Sequence, residues 1–198
     1  MQLDATPLDG FVMRLEPLTS ELKEPLRAAM AGHAADWELM ATNGGGEAFD
    51  VWWAGALADM AQGHRIAYAI RRVSDGVVVG TTSMMEISPH HRKLEIGSTF
   101  LQADARGSLI NPDAKRALLA YVFGQGAVRV EIITDARNLR SQAAIAKLGA
   151  VREGVLRRHK ITWTGHVRDT VVYAITDLDW PAVKAGLDAR LSAGLVEA

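Results

Sequence analysis

The 198-residue sequence contains no cysteine. That excludes disulfides, thiolate metal sites and a cysteine nucleophile, and it agrees with a reducing, cytoplasmic setting. An excess of one charge is also missing: 22 Lys and Arg stand against 23 Asp and Glu. So weak a net field holds neither nucleic acid nor an anionic membrane, and neither is expected as a partner. No run approaches the roughly 18–20 uninterrupted apolar residues of a membrane span. The opening MQLDATPLDG carries an acid and a proline where a secretory signal needs basic residues and then an apolar stretch. Repeats and Pro/Gly/Ser-rich linkers are absent too, so a single soluble domain over 1–198 is expected, long enough to bury one core.

What is present reads as alternating elements. Gly10 to Leu15 alternates like a strand. Ser20 reads as the cap of a helix from Leu22 to Ala35, with Leu22, Leu26 and Met30 on one face. Asn43 to Gly46 reads as a loop, and Ala48 to Gln62 as a second helix carrying Val51, Trp52, Leu57 and Met60. Three strands follow: Ile66 to Arg72, Val77 to Glu86 and Lys93 to Leu101, with turns at Asp75-Gly76 and Pro89-His90-His91. Asn111-Pro112-Asp113 predicts a helix start with an amide cap, a proline at the first position and an acid in the first turn. That helix should bury Leu118, Leu119, Val122 and Phe123 and stop at Gly124-Gln125-Gly126. Val128 to Thr134 predicts a strand. Asn138 predicts the cap of a helix that buries Ala144, Ile145 and Leu148 and ends at Gly149. Val151 to Thr162 and Thr170 to Ile175 close the pattern as strands. The fold class is α+β (mixed α/β): one mixed sheet flanked by helices.

Three stretches carry candidate chemistry. They are the strand Leu94 to Leu101, the turn Ala105 to Asn111 leading into a helix, and Thr134 to Ser141 entering another. A turn that feeds a helix amino terminus offers unpaired N–H groups and the positive end of the helix dipole, a fitting cradle for a diphosphate. Arg106 adds a cation able to fork onto a phosphate. A plain capped helix start is the alternative for that turn.

In the order and spacing of these stretches the sequence resembles the GNAT superfamily of N-acetyltransferases, in the branch of ribosomal-protein N-terminal acetyltransferases. The resemblance extends from Arg14-Leu15-Glu16-Pro17-Leu18 to Asp169-Thr170-Val171-Val172-Tyr173. It is strongest from Leu94-Glu95-Ile96-Gly97 to Gly154-Val155-Leu156-Arg157.

That resemblance implies a central, mostly antiparallel sheet splayed between its fourth and fifth strands. It implies acetyl-CoA as co-substrate, no metal, direct transfer to an amine (a protein N-terminus or a small molecule), and a monomer or homodimer. It makes Arg106, Gly107, Ser108, Leu109, Ile110 and Asn111 the coenzyme A diphosphate loop. Leu109 departs from the family glycine and Asn111 from its last small residue. Asn138 becomes a pantetheine contact and Ser141 a proton donor to the leaving thiolate. The backbone near Phe100 and Leu101 becomes the oxyanion site. Glu95 is the candidate general base, its alternatives being an ion pair with Arg71 or Arg92, or solvent. The rivals are a non-catalytic acyl-CoA-binding module of the same fold, favoured by Leu109, and an unrelated α/β phosphate-ligand protein. His90-His91 lack metal-ligand spacing. Trp37, Trp52 and Trp53 read as core or groove wall. Arg157-Arg158-His159-Lys160 reads as a solvated strand edge, or as a site for an acidic peptide or the adenosine 3′-phosphate.

Overall fold

The computed structural model describes residues 1–32 and 34–196. The strands are β1 (Leu8–Asp9), β2 (Met13–Pro17), β3 (Arg65–Arg72), β4 (Val78–Ser88), β5 (Lys93–Leu101), β6 (Arg129–Asp135), β7 (Val151–Ile161) and β8 (Val167–Thr176). They form one sheet in the order β1-β2-β3-β4-β5-β6-β8-β7. The helices are α1 (Lys23–Met30), α2 (Phe49–Ala61), α3 (Ile110–Gly124), α4 (Leu139–Lys147) and α5 (Trp180–Val196).

Strand alternation divides the core in two. Leu15, Tyr68, Ile96, Val130 and Tyr173 face one way and pack with Leu118 of α3, Ile145 of α4 and Leu187 of α5. Ala67, Ala69 and Phe100 face the other way, against Leu26 and Met30 of α1 and Phe49, Trp52 and Trp53 of α2. The period of two along each strand fixes which residue meets which layer.

Several expectations need correction. Gly10 to Val12 is not strand but the turn of a hairpin, closed by the Gly10 amide on the Met13 carbonyl at 2.9 Å. Ser20 caps nothing; it sits inside a 3₁₀ turn, Ser20–Leu22, and α1 ends at Met30, short of Ala35. On α2, Val51 and Leu57 are exposed, and Phe49, Trp52, Trp53 and Ala56 are buried. Those four follow an i, i+3, i+4, i+7 stripe, rotated from the predicted face. Ala144 is exposed, although Ile145 and Leu148 are buried as predicted. The carboxy-terminal helix α5 was not anticipated.

The feature that positions the site is a parallel pair that does not persist. β5 and β6 are in register only at Lys93↔Arg129, Leu94↔Val130 and Glu95↔Glu131. Both strands continue beyond, but β6 stays zipped to β8 through Asp135↔Thr170 and leaves β5 alone. With the two-residue β1 set aside, these are the fourth and fifth strands. From Ile96 onward one edge of β5 has no ladder partner, so its main-chain groups face an opening.

Candidate active site

The open stretch of β5 is also where it bulges. Thr81 pairs with Phe100 and Ser83 with Gly97, so Thr82 stands opposite two residues. Ser98 takes the left-handed conformation at φ 48°. The extra residue resets the alternation: Ile96 and Leu101 both face α3, and Phe100 turns to the α1/α2 layer. There Phe100 stacks on Trp37, ring centroids 4.1 Å apart. The turn between β7 and β8 closes over the same place, with the Trp163 indole donating to the Trp37 carbonyl at 2.8 Å. Trp37 is therefore core of the α1/α2 layer, one of the two readings its sequence position allowed.

Glu95 precedes the bulge, on the face opposite α3. Its side chain folds over Gly97, where a Cβ would lie 2.5 Å from Glu95 Oε1; only glycine leaves the carboxylate that room. Glu95 is buried and has no ion pair or hydrogen bond among the described residues, and Arg71 is spent on Glu16 at 2.8 Å. Burial pushes its carboxyl above the usual range, against the field of Lys160. A desolvated carboxylate with raised proton affinity beside an open strand edge is equipped to take a proton.

The turn before α3 is built differently from the expected cap. The helix begins at Ile110, with Leu109 at the cap position and no side-chain cap bond. Asn111 and Pro112 are already inside it, so neither plays its predicted part, and Asn111 Oδ1 is buried without a partner. Ser108 is the local organiser: its hydroxyl donates to the Ala105 carbonyl at 2.7 Å and accepts from the Ile110 amide at 3.2 Å. Asp113 anchors the helix by accepting the Val12 amide at 2.8 Å. Gly107 turns the chain at φ 79°. The amides of Gly107, Ser108, Leu109 and Asn111 make no backbone hydrogen bond among the described residues. They form a concavity of donors at the positive end of a fifteen-residue helix.

Two side chains there behave unexpectedly. Leu109 lies over Gly194 of α5, where an added Cβ would meet Leu109 Cδ2 at 2.8 Å. The bulky residue that replaces the family glycine is thus accommodated by a glycine elsewhere. Arg106 is turned inward: Nε donates to the Leu101 carbonyl at 2.7 Å and Nη1 to Asp36 at 2.5 Å. Its guanidinium lies 5.3 Å from the Phe100 ring centroid. As placed, Arg106 braces the strand end against the loop that bears Trp37.

Asn138 does cap α4, its Oδ1 accepting the Ser141 amide at 2.9 Å. That leaves the Asn138 amide nitrogen and the Ser141 hydroxyl without hydrogen bonds among the described residues. Both stand at the carboxyl end of β6, one wall of the opening.

Lys115 was missed. It lies on the inner face of α3, 5 % exposed, with Nζ 2.7 Å from Thr99 Oγ1 and 3.3 Å from Thr82 Oγ1. Burial pulls its ammonium down to about 7, against the field of Glu95. Its position one turn after Asn111 was the available signal, but burial of a lysine is decided by the strands beneath it. No group of three His, Asp or Glu among the described residues could hold a metal ion.

Comparison with known proteins fits this geometry. The family description "Acetyltransferase (GNAT) domain" matches residues 13–151. No curated protein matches the chain. Among solved structures, an acetyltransferase-class protein from T. thermophilus is 35% identical over 96% of this chain and 100% of its own, with a TM-score of 0.86. A GCN5-related N-acetyltransferase from Brucella melitensis is 26% identical over 94% of this chain and 86% of its own, TM-score 0.85. Mycobacterium smegmatis RimJ, solved with CoA-disulfide, shares the fold at 24% identity over 93% of each chain, TM-score 0.74.

Proposed function

Because the chain belongs to the GNAT acetyltransferase family, we propose that it transfers acetyl from acetyl-CoA directly to a primary amine, acting in the cytoplasm. The observation that carries this is the unzipping of β5 from β6 after Glu95, with unbonded amides at the start of α3 and an unpaired carboxyl at the fork. An extended pantetheine arm fits between strands that have parted and hydrogen-bonds to an edge with no other partner. The diphosphate belongs on the amides of Gly107, Ser108, Leu109 and Asn111, and Leu109, lying on α5, leaves them free.

Glu95 accepts a proton from the ammonium of the acceptor, or from a water that relays it, and the free amine attacks the thioester carbon. Main-chain N–H groups of the open β5 edge near Phe100 and Leu101 stabilise the tetrahedral oxyanion. Collapse breaks the C–S bond. Ser141 at the start of α4 gives a proton to the departing thiolate and regains one, directly or through water, from the acylated nitrogen, which leaves as the neutral amide. A thiol with an ordinary pKa of about 8.5 leaves with little help, so Ser141 contributes less than Glu95. No covalent acetyl-enzyme is needed. The rival reading, a non-catalytic acyl-CoA-binding module, drew on Leu109, whose side chain is docked on α5.

The test is release of free thiol from acetyl-CoA with a panel of primary amines. Amine-dependent release that scales with enzyme is expected. Tight coenzyme binding with no amine-dependent release would favour the binding module instead.

A further inference from the structure

β7 and β8 are registered so that Lys160 stands directly opposite Arg168. Cross-strand partners share a sheet face, and like charges placed so are destabilising. Among the described residues Lys160 and Arg168 form no ion pair or side-chain hydrogen bond, and Asp135 and Glu95 act on Arg168 only through their fields. Arg168 is nonetheless only 5 % exposed, and its Nε is closed off and unbonded. Two residues along the strand, on the same face, Thr170 is fully buried with its hydroxyl also unbonded. Buried guanidinium groups are ordinarily paired and buried hydroxyls hydrogen-bonded, so two unmet buried groups beside the half-exposed Lys160 ask for a ligand.

The surroundings say which ligand and from which side. Val171, Tyr173 and Ile175 point into the α3 core, so Arg168 and Thr170 project from the other face, the one that carries Glu95. The nearby carboxylates are committed: Asp135 to Arg137 at 2.9 Å, and Glu131 to Arg129 at 3.0 Å. Both Lys160 and Arg168 act electrostatically on Glu95. The diphosphate cradle, by contrast, opens at the start of α3, across the sheet.

We propose that Lys160, Arg168 and Thr170 are the anion-receiving half of the acceptor site, so that the amine acetylated here is a small molecule bearing a carboxylate or phosphate. This rests on the reading that Glu95 faces the acceptor. The Arg168 fork takes two oxygens of the oxyanion, Thr170 donates a further hydrogen bond, and Lys160 supplies the second charge. Set between these cations and Glu95, such a molecule presents its amine to the base by anchoring its anionic end. An amine with no oxyanion leaves the buried Arg168 unmatched and is selected against.

The experiment uses Arg168→Met with matched amines: a free amino acid against its amide, and O-phosphoethanolamine against ethanolamine. In the native protein kcat/KM for the preferred anionic member exceeds its neutral counterpart by about tenfold or more, and in Arg168→Met the ratio falls to about one. Whichever pair shows the preference tells carboxylate from phosphate. A second readout needs no acetyl transfer. Inorganic phosphate raises the Tm of the native protein, with and without saturating CoA, and does not raise that of Arg168→Met. In anion-free buffer the variant melts no lower than the native protein, since it has lost a buried charge held in no ion pair or hydrogen bond. If no amine is acetylated but the phosphate shift follows Arg168, the acetyltransferase reading fails and the anion site stands. Equal use of neutral and anionic amines, an absent phosphate shift, or a lower Tm for the variant overturns the proposal. So does a loss of acetyl-CoA affinity that disappears with acetyl-dephospho-CoA, which would give the cations to the coenzyme 3′-phosphate.

Discussion

Glu95→Gln lowers kcat for amine acetylation at pH 7 by about 10²–10³-fold and leaves the Kd for coenzyme A within about twofold. The asymmetry follows from placement. Glu95 sits where β5 and β6 part, on the face opposite α3, and the diphosphate donors lie on α3's side. The pH dependence has a definite sign. A base acts only when deprotonated, and burial raises the Glu95 pKa above its ordinary 4.5. The native rate therefore falls as pH drops through a limb displaced upward from the normal carboxylate range. The Gln variant lacks that limb. Its deficit is largest below neutrality and narrows above about pH 9, where an amine of pKa roughly 8–10 has lost its proton unaided. Steady-state kinetics across that range check the claim. Equal rates for both proteins at pH 6 would remove Glu95 from the mechanism.

Lys115→Met makes the protein more stable at pH 6 and removes a slope in its stability at alkaline pH. Lys115 titrates near 7 in the folded protein, against an ordinary 10.5. Between those values the unfolded chain binds more protons, so folding stability rises with pH through the window. Below about 7 both states are charged and the full burial penalty is present. The linkage amounts to roughly 4–5 kcal/mol, of which the variant should recover about 2–4 kcal/mol at pH 6. Methionine keeps most of the volume, and Thr82 and Thr99 retain their mutual hydrogen bond at 2.8 Å, so no buried polar group is orphaned. Urea denaturation at pH 6 and pH 10 measures both quantities. A variant less stable than the native protein at pH 6 would mean that the ammonium is fully compensated where it lies.

The sequence disclosed most where structure is local. Asn138 caps α4 because its side chain reaches an amide three residues on. The limits expected for β5, Lys93 to Leu101, are those observed, although the bulge at Ser98 interrupts its alternation. Prediction failed where distant chain decides. Asn111 looked like a cap, but the start of α3 is set by the Ser108 hydroxyl and by Asp113 holding the Val12 amide 101 positions away. α5 had a signal that was overlooked: Val183, Leu187 and Leu191 recur every four residues and are all buried. In the site, Glu95 lies where β5 and β6 part, and Asn138 and Ser141 lie at the carboxyl end of β6. Arg106 could not be foreseen, because its partner Asp36 comes from a loop seventy residues earlier. Lys160 passed for part of a solvated edge; only the β7–β8 register sets it against Arg168. Leu109 was the residue that counted against coenzyme binding. The Gly194 that receives it lies on the overlooked helix.

Calorimetric titration of coenzyme A into the protein tests the central claim most directly, that the parted β5 and β6 strands and the amides opening α3 hold this ligand. The expected result is exothermic binding at one site per chain with a micromolar Kd. No heat on raising coenzyme A to high micromolar concentration would contradict it.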